Sequence, residues 1–264
     1  MGKIYAILSK KGGVGKTTVV INLGAAFAES GDKVLLVDLD PQNSLYLGIG
    51  LYKEKLESGS FNILLKNVRP EDVIKKTPFQ NIDIIPSGPV NPYLEWKISS
   101  VSKNLDRLKN WFEYTGVKDR YDYILIDTPP TFNSITGSAV VASDAVMITV
   151  QSEPLAYRTL PAVFVFLKDI KEKLKPTLRV LGIIINMYDG REELMVQTAR
   201  VLEQKYKNIP FKTKIPKDLN IAEALAYGKP VIYHEPGSAG ARAFRLLAKE
   251  IKAREAVLEQ VIKK

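Results

Sequence analysis

The sequence predicts an α/β fold: a doubly wound, mostly parallel sheet with helices on both faces. Two observations carry this. Strand-like and helix-like segments alternate along the whole 264-residue chain, which calls for parallel strands joined by crossover helices. The strand-like segments are also continuous apolar runs, such as Ile4–Leu8, Val34–Val37 and Leu181–Ile185, as expected when both faces of a sheet are covered. Apolar residues make up 45% of the chain, and there is no repeat, low-complexity tract or linker, so residues 1–264 read as one domain.

Taken in order, Ile4–Leu8 is a short buried strand ended by Ser-Lys-Lys-Gly-Gly. Thr17–Glu29 has helical spacing, with Gly31 as its stop. Lys33–Asp38 and Ile82–Ile85 are strands, the second closed by Pro86-Ser-Gly-Pro, and residues 48–81 between them are the least regular part. Leu94–Tyr114 has helical spacing with many charges on one side. The strand Tyr123–Ile126 ends at Asp127, and Ala145–Val150 is another. Pro154–Leu174 reads as a helix with proline where a helix can start. Val180–Ile185 is a strand, Glu192–Tyr206 a helix, and Lys214-Ile-Pro the end of a short strand. Ile221–Tyr227 is a short helix ended by Gly228, and Ala239–Val261 a long terminal one.

Composition removes several classes of chemistry. With no cysteine, disulfides, thiolate catalysis and cysteine-ligated clusters are excluded. The single histidine, His234, reads as a surface or hinge residue and cannot build a zinc site alone. No apolar run approaches the roughly 20 residues needed to span a bilayer. The chain starts directly with its first strand, leaving no room for a signal peptide, so a cytoplasmic address is expected. Net charge is +9, which suits nucleic acid or an anionic membrane, or simply a surface of solvated lysines.

The chemistry concentrates in Lys10-Lys11-Gly12-Gly13-Val14-Gly15-Lys16-Thr17-Thr18, placed between a strand and a helix. Glycines let a backbone curl round phosphate oxygens without Cβ clashes, and successive N–H groups then form an anion nest at the start of the helix. Lys16 supplies a full charge to β- and γ-phosphates, and the Thr17 hydroxyl is placed for Mg²⁺. Asp127, at a strand end before Thr-Pro-Pro, fits a carboxylate that holds Mg²⁺ directly or through water. Asp38 and Asp40 flank Leu39 after the second strand. The carboxyl ends of parallel strands line the ligand crevice, so all three acids should converge on the γ-phosphate side. Asp40 is the candidate for orienting or deprotonating water, and Asp38 for a more distant metal partner. These residues predict ATP as the nucleotide and hydrolysis as the reaction.

The pattern resembles the deviant Walker A ATPases of the ParA/MinD group. Lys10 stands where an ordinary P-loop has glycine, and Lys11 matches the group's signature lysine. Asp38-Leu-Asp-Pro-Gln is similar to the group's switch I, and Asp127-Thr-Pro-Pro to its Walker B and switch II. Asn186-Met-Tyr-Asp resembles the segment that contacts the base. Ile215-Pro-Lys-Asp and Glu223-Ala-Leu-Ala-Tyr-Gly-Lys-Pro resemble the C-terminal signature. The likeness runs from about Lys3 to Lys252 and is nearest to ParA/Soj-type partition ATPases. It implies that Gly12, Gly13, Val14, Gly15, Lys16, Thr17 and Thr18 cradle the phosphates, with Asn186, Pro216 and Asp218 near the base. It also implies an ATP-dependent sandwich homodimer in which Lys11 of one subunit reaches the other's phosphates. Non-specific DNA and a centromere-binding, ParB-like protein would then be partners, and the nucleoid the address. Lys214, Lys217, Lys229, Arg242 and Arg245 are the candidate DNA contacts. Two stretches depart from the pattern: Asn43-Ser-Leu-Tyr after switch I, and Pro-Leu-Ala-Tyr-Arg-Thr after Glu153. No N-terminal DNA-binding extension precedes the cradle, so operator binding is not expected. The other reading, a MinD-like membrane-positioning ATPase, requires an amphipathic anchor. Ala253–Lys264 offers Val257, Leu258, Val261 and Ile262 but no aromatic residue, and reads as the end of a docked helix.

Overall fold

The computed structural model describes residues 2–52, 56–89, 104–153 and 156–262. Seven strands form one sheet: β1 (Lys3–Leu8), β2 (Val34–Asp38), β3 (Lys75–Lys76), β4 (Ile82–Ile85), β5 (Tyr123–Asp127), β6 (Ala145–Gln151) and β7 (Arg179–Asn186). Their order is β3-β4-β2-β5-β1-β6-β7. Every pairing is parallel except β3 with β4. The two-residue β3 lies at one edge, where a short antiparallel strand leaves little unpaired backbone exposed.

Side chains alternate across the sheet and fill two cores. From β1, Ile4, Ala6 and Leu8 face one core and Tyr5 and Ile7 the other. The first core is covered by α3 (Ser60–Leu65), α5 (Arg107–Thr115), α6 (Ser134–Ala142), α7 (Ala156–Lys173) and α8 (Glu193–Tyr206). The second is covered by α1 (Lys16–Glu29), α2 (Ser44–Gly48), α9 (Leu219–Ala226), α10 (Val231–His234) and α11 (Ala239–Ile262). A one-turn α4 (Pro70–Val73) leads into β3. β1 and β5 are neighbours whose crossovers take opposite faces of the sheet: β1 leaves through α1 into the second core, and β5 leaves through α6 into the first. The carboxyl end of β1 is therefore the switch point at which such sheets open a crevice.

The predicted elements are present, with three differences. Lys214-Ile-Pro is no strand: the Ile215 N–H donates to Ile185 O at 2.9 Å and Pro216 forms one isolated bridge with Tyr188, because a proline cannot extend the ladder. Of the predicted helix 94–114, residues 94–103 lie outside the described residues. The described part is helical only over Arg107–Thr115, ended by Gly116 in the left-handed region at φ 64°. α9 starts at Leu219, two residues before the expected Ile221, because Asp218 caps it by accepting from the Asn220 N–H at 3.0 Å. Pro154 and Leu155 lie outside the described residues. His234 is half-buried and stacks on Tyr227, with ring centroids 5.3 Å apart.

Candidate nucleotide site

The residues from Ser9 to Gly15 join β1 to α1. Gly13 and Gly15 have φ of 76° and 84°, values that a side chain would resist. A Cβ built on Gly12 or Gly13 would meet nothing within 4 Å, so this part of the loop borders open space. Gly15 is the N-cap of α1 and offers no side-chain cap, and the first turn holds no acid. The amides at the start of α1 are thus left for a ligand, at the end of the helix where the peptide dipoles favour an anion.

Charged groups surround this turn. Lys16 is 7% exposed, and burial depresses its pKa against the opposing pull of Asp127 and Asp40. The Thr17 hydroxyl donates to Asp127 Oδ2 at 2.5 Å. Asp127 is fully buried at the end of β5, and burial holds its carboxyl up at about 7. Its Oδ1 is buried without a hydrogen-bond partner among the described residues. Asp38 ends β2 in register with Asp127, and burial, reinforced by the neighbouring Asp127 charge, raises its pKa too. Two buried acids with one spare oxygen make a site short of positive charge. Mg²⁺ suits that deficit, because it is held by one or two carboxylates together with water and phosphate oxygens. Among the described residues no group of three or more His, Asp or Glu side chains could hold a metal by itself. Asp127 and Thr17 therefore fit a Mg²⁺ that arrives with a phosphate ligand.

Asp38 has a different task. Its Oδ1 accepts from the Asp40 N–H at 2.9 Å and its Oδ2 from the Leu45 N–H at 3.1 Å. The carboxylate fastens the loop that carries Asp40, and both of its oxygens are engaged by backbone amides. Asp40 is half-buried and its Oδ1 accepts from the Gln42 N–H at 3.0 Å. It lines a cleft of about 690 Å³ together with Gly12, Gly13, Lys16, Thr17 and Thr18. Met187 and Leu225 also line this cleft, on the side toward the predicted base segment.

The remaining predicted residues fall into three groups. Lys11 points away from the cleft: its Nζ pairs with Glu153 Oε2 at 2.6 Å, and both side chains are more than a third exposed. Glu153 lies just beyond β6, and no motif in the sequence singles it out. Asn186, at the end of β7, turns its amide to the loop and donates to Val14 O at 2.8 Å. Asp218 spends both oxygens on its own surroundings, accepting from Asn220 and from the Gly240 N–H. Of the five DNA candidates, Lys214 pairs with Glu203 at 2.6 Å, Lys217 with Glu192 at 3.8 Å and Arg245 with Glu29 at 2.6 Å. Arg242 donates to Gly237 O, and Lys229 is exposed.

A glycine cradle opening onto an uncapped helix, with a buried lysine and strand-end acids around it, defines a P-loop nucleotide-binding protein. A family model described as an AAA domain, AAA_31, matches residues 2–180. The sporulation initiation inhibitor protein Soj of Bacillus subtilis (strain 168) is 38% identical over 253 residues, covering 96% of this chain and 99% of Soj. The chromosome partitioning protein ParA of Caulobacter vibrioides (strain NA1000 / CB15N) is 32% identical over 253 residues, covering 96% and 95%. Among solved structures, the septum site-determining protein MinD of Pyrococcus horikoshii OT3, complexed with Mg-ADP, is 31% identical with a TM-score of 0.77, covering 95% of this chain and 96% of MinD. The chain belongs to the ParA/Soj family of deviant Walker A P-loop proteins.

Proposed function

We propose that this protein is a cytoplasmic, nucleoid-associated DNA partition ATPase. It binds ATP with Mg²⁺, closes as a homodimer, and in that state holds DNA without strong sequence preference. A ParB-like centromere-binding partner then stimulates an otherwise slow hydrolysis. The observation that carries the reading is the buried set Lys16, Thr17 and Asp127 at the uncapped start of α1, in a chain that aligns with Soj and ParA over nearly its full length.

The residues divide the work. The loop amides and Lys16 bind the phosphates and draw charge from the leaving group. Thr17 and Asp127 would hold Mg²⁺, whose charge would offset that of the phosphate oxygens. Asp40 orients the attacking water and takes its proton, and Asp38 holds Asp40 in reach through the Asp40 N–H. Lys11 leaves Glu153 and completes the site of the other subunit. Met187 and the turn from Pro216 to Asp218 flank the base, a placement supported by the bridge between Tyr188 and Pro216, while the amide of Asn186, also expected there, is turned to Val14 O. Lys214, Lys217, Lys229, Arg242 and Arg245 remain the proposed DNA contacts. The exposed Lys217–Glu192 pair is worth about 1 kcal/mol or less, so Lys217 exchanges a carboxylate for a phosphate at little cost, whereas Arg245, held by two bonds to Glu29, is the costliest of the five to release.

The MinD likeness makes membrane positioning the rival reading. The terminal helix argues for the first. Arg254 donates to the carbonyls of Leu181, Ile209 and Pro210, and Glu255 and Glu259 both pair with Lys3. Up to Glu259, α11 is fastened to the body of the protein rather than free to enter a lipid surface.

Gel shifts with unrelated duplexes in ADP, ATP and a non-hydrolysable analogue test the proposal. ATP or its analogue should support binding, and affinity should fall steeply with salt, by about 0.9 in log–log slope per phosphate neutralised. Binding that ignores the nucleotide, or flotation with liposomes in ATP, would overturn it.

A further inference from the structure

Asn186 ends β7, 172 positions along the chain from the residue it touches, and is 2% exposed. Its Nδ2 donates to Val14 O at 2.8 Å. The same nitrogen stands 2.3 Å from where a Cβ on Gly15 would lie. Side chain and glycine are thus fitted to each other, and the contact reaches the centre of the phosphate loop.

The peptide between Val14 and Gly15 is trans, as are all described peptides. In a trans peptide the C=O and the following N–H point in opposite directions. A donor that holds Val14 O on the β7 side therefore turns the Gly15 N–H the other way, into the cradle. The buried Val14 side chain holds one end of that peptide and the Val19 N–H, which donates to Gly15 O at 2.9 Å, the next carbonyl, but the rotation into Gly15 runs through a glycine in positive φ and is the softest link in the loop. The strand end that supplies Asn186 is itself held. Beyond the left-handed Met187, the Tyr188 N–H donates to Ile215 O at 2.9 Å and Lys217 N–H to Tyr188 O at 3.0 Å.

We propose that Asn186 is a positioning residue for the phosphate cradle: it sets the Val14–Gly15 peptide so that the Gly15 N–H faces the triphosphate. This rests on the nucleotide-binding reading above and assigns Asn186 a task independent of the base. The residue acts on the ligand through the loop, so its effect must follow the phosphates.

The test uses the full chain with Asn186→Ala and Asn186→Leu. Leucine fills the space without a donor, so it serves if the alanine variant does not fold. Thermal unfolding establishes that each variant is folded at the temperature of measurement. ATP, inosine triphosphate and inorganic tripolyphosphate then compete against a fluorescent ATP analogue. Loss of the buried donor should weaken all three by a similar factor, about ten-fold, and leave the ratio of ATP to inosine triphosphate affinity unchanged. If ATP alone weakens and the ratio collapses, Asn186 reads the base and the positioning role is wrong. Unchanged affinity for all three in a folded variant also overturns it. Failure of the wild-type chain to bind ATP would instead sink the nucleotide-binding reading.

Discussion

The inner wall of the cleft and its outer lip follow different rules. On the wall, Lys16, Asp127, Asp38 and Asn186 are buried, and strand register or backbone hydrogen bonds fix them. On the lip, Lys11, Glu153 and Asp40 are partly exposed and sit on loops. The wall is costly to assemble, because burying charge without full pairing raises or lowers each pKa, and that cost is what a phosphate with its metal relieves. The lip is satisfied within the chain by contacts that are cheap to exchange. On the proposed function, binding is built into the fold, whereas turnover and dimerisation would wait on groups that can change partners.

Substitutions should expose this contrast. Lys16→Ala strips the wall of its fixed charge, and ATP affinity should drop by about a hundred-fold or more. Titration with a fluorescent ATP analogue measures it, and near-wild-type affinity would remove Lys16 from the site. Lys11→Ala should keep monomeric ATP binding yet lose ATP-induced dimers and stimulated hydrolysis. A mixture with Lys16→Ala sharpens the point: mixed dimers should regain some hydrolysis, through one ATP in the Lys11→Ala subunit and Lys11 from the other. Mixed dimers that form and stay inactive would place Lys11's role within its own subunit. Asp40→Ala should bind ATP normally, hydrolyse it about a hundred-fold more slowly, and elute as a persistent dimer in ATP on size exclusion. Unchanged turnover would show that another group handles the water. The smallest change belongs to Glu153→Gln, which weakens Lys11's resting pair. The ATP concentration that gives half-maximal dimer should fall about two- to five-fold with monomer affinity unaltered. A higher concentration would mean that Glu153 supports the dimer instead.

Much of the wall was legible from sequence because its parts are tied to secondary structure. A glycine loop between an apolar strand and a helix, and acids that end strands, locate themselves once strands are known to be parallel. Thr17 and Asp127, 110 positions apart, meet as expected. The lip was less legible. Glu153 is an ordinary loop acid until β6 is placed beside β1. Asp38 reads from sequence as a more distant metal partner, but its hold on the Asp40 and Leu45 amides was not legible, because those amides lie in an irregular turn. Asn186 offered a similar choice, since nothing local says which neighbour its amide meets. Its Val14 contact depends on β7 lying beyond β6 in the sheet. The short α3 and α4 fell in the least regular stretch and α2 just before it, and helices of four to six residues are too brief to repeat a pattern.

Helix α1 has a consequence for how the molecule yields to solvent. Its first turn borders the cradle, and its last residue, Glu29, grips Arg245 of α11, while Lys252 reaches Asp32 just beyond. Fourteen residues make a rod about 21 Å long. Opening α11 to exchange with deuterated water therefore loosens the far end of the element that carries the phosphate loop. Ligand at a hundred times its dissociation constant adds about 2.7 kcal/mol to any opening that destroys the site. The amides of α11 that open with α1 should then exchange about a hundred-fold more slowly with nucleotide bound, although α11 contributes no residue to the cleft wall.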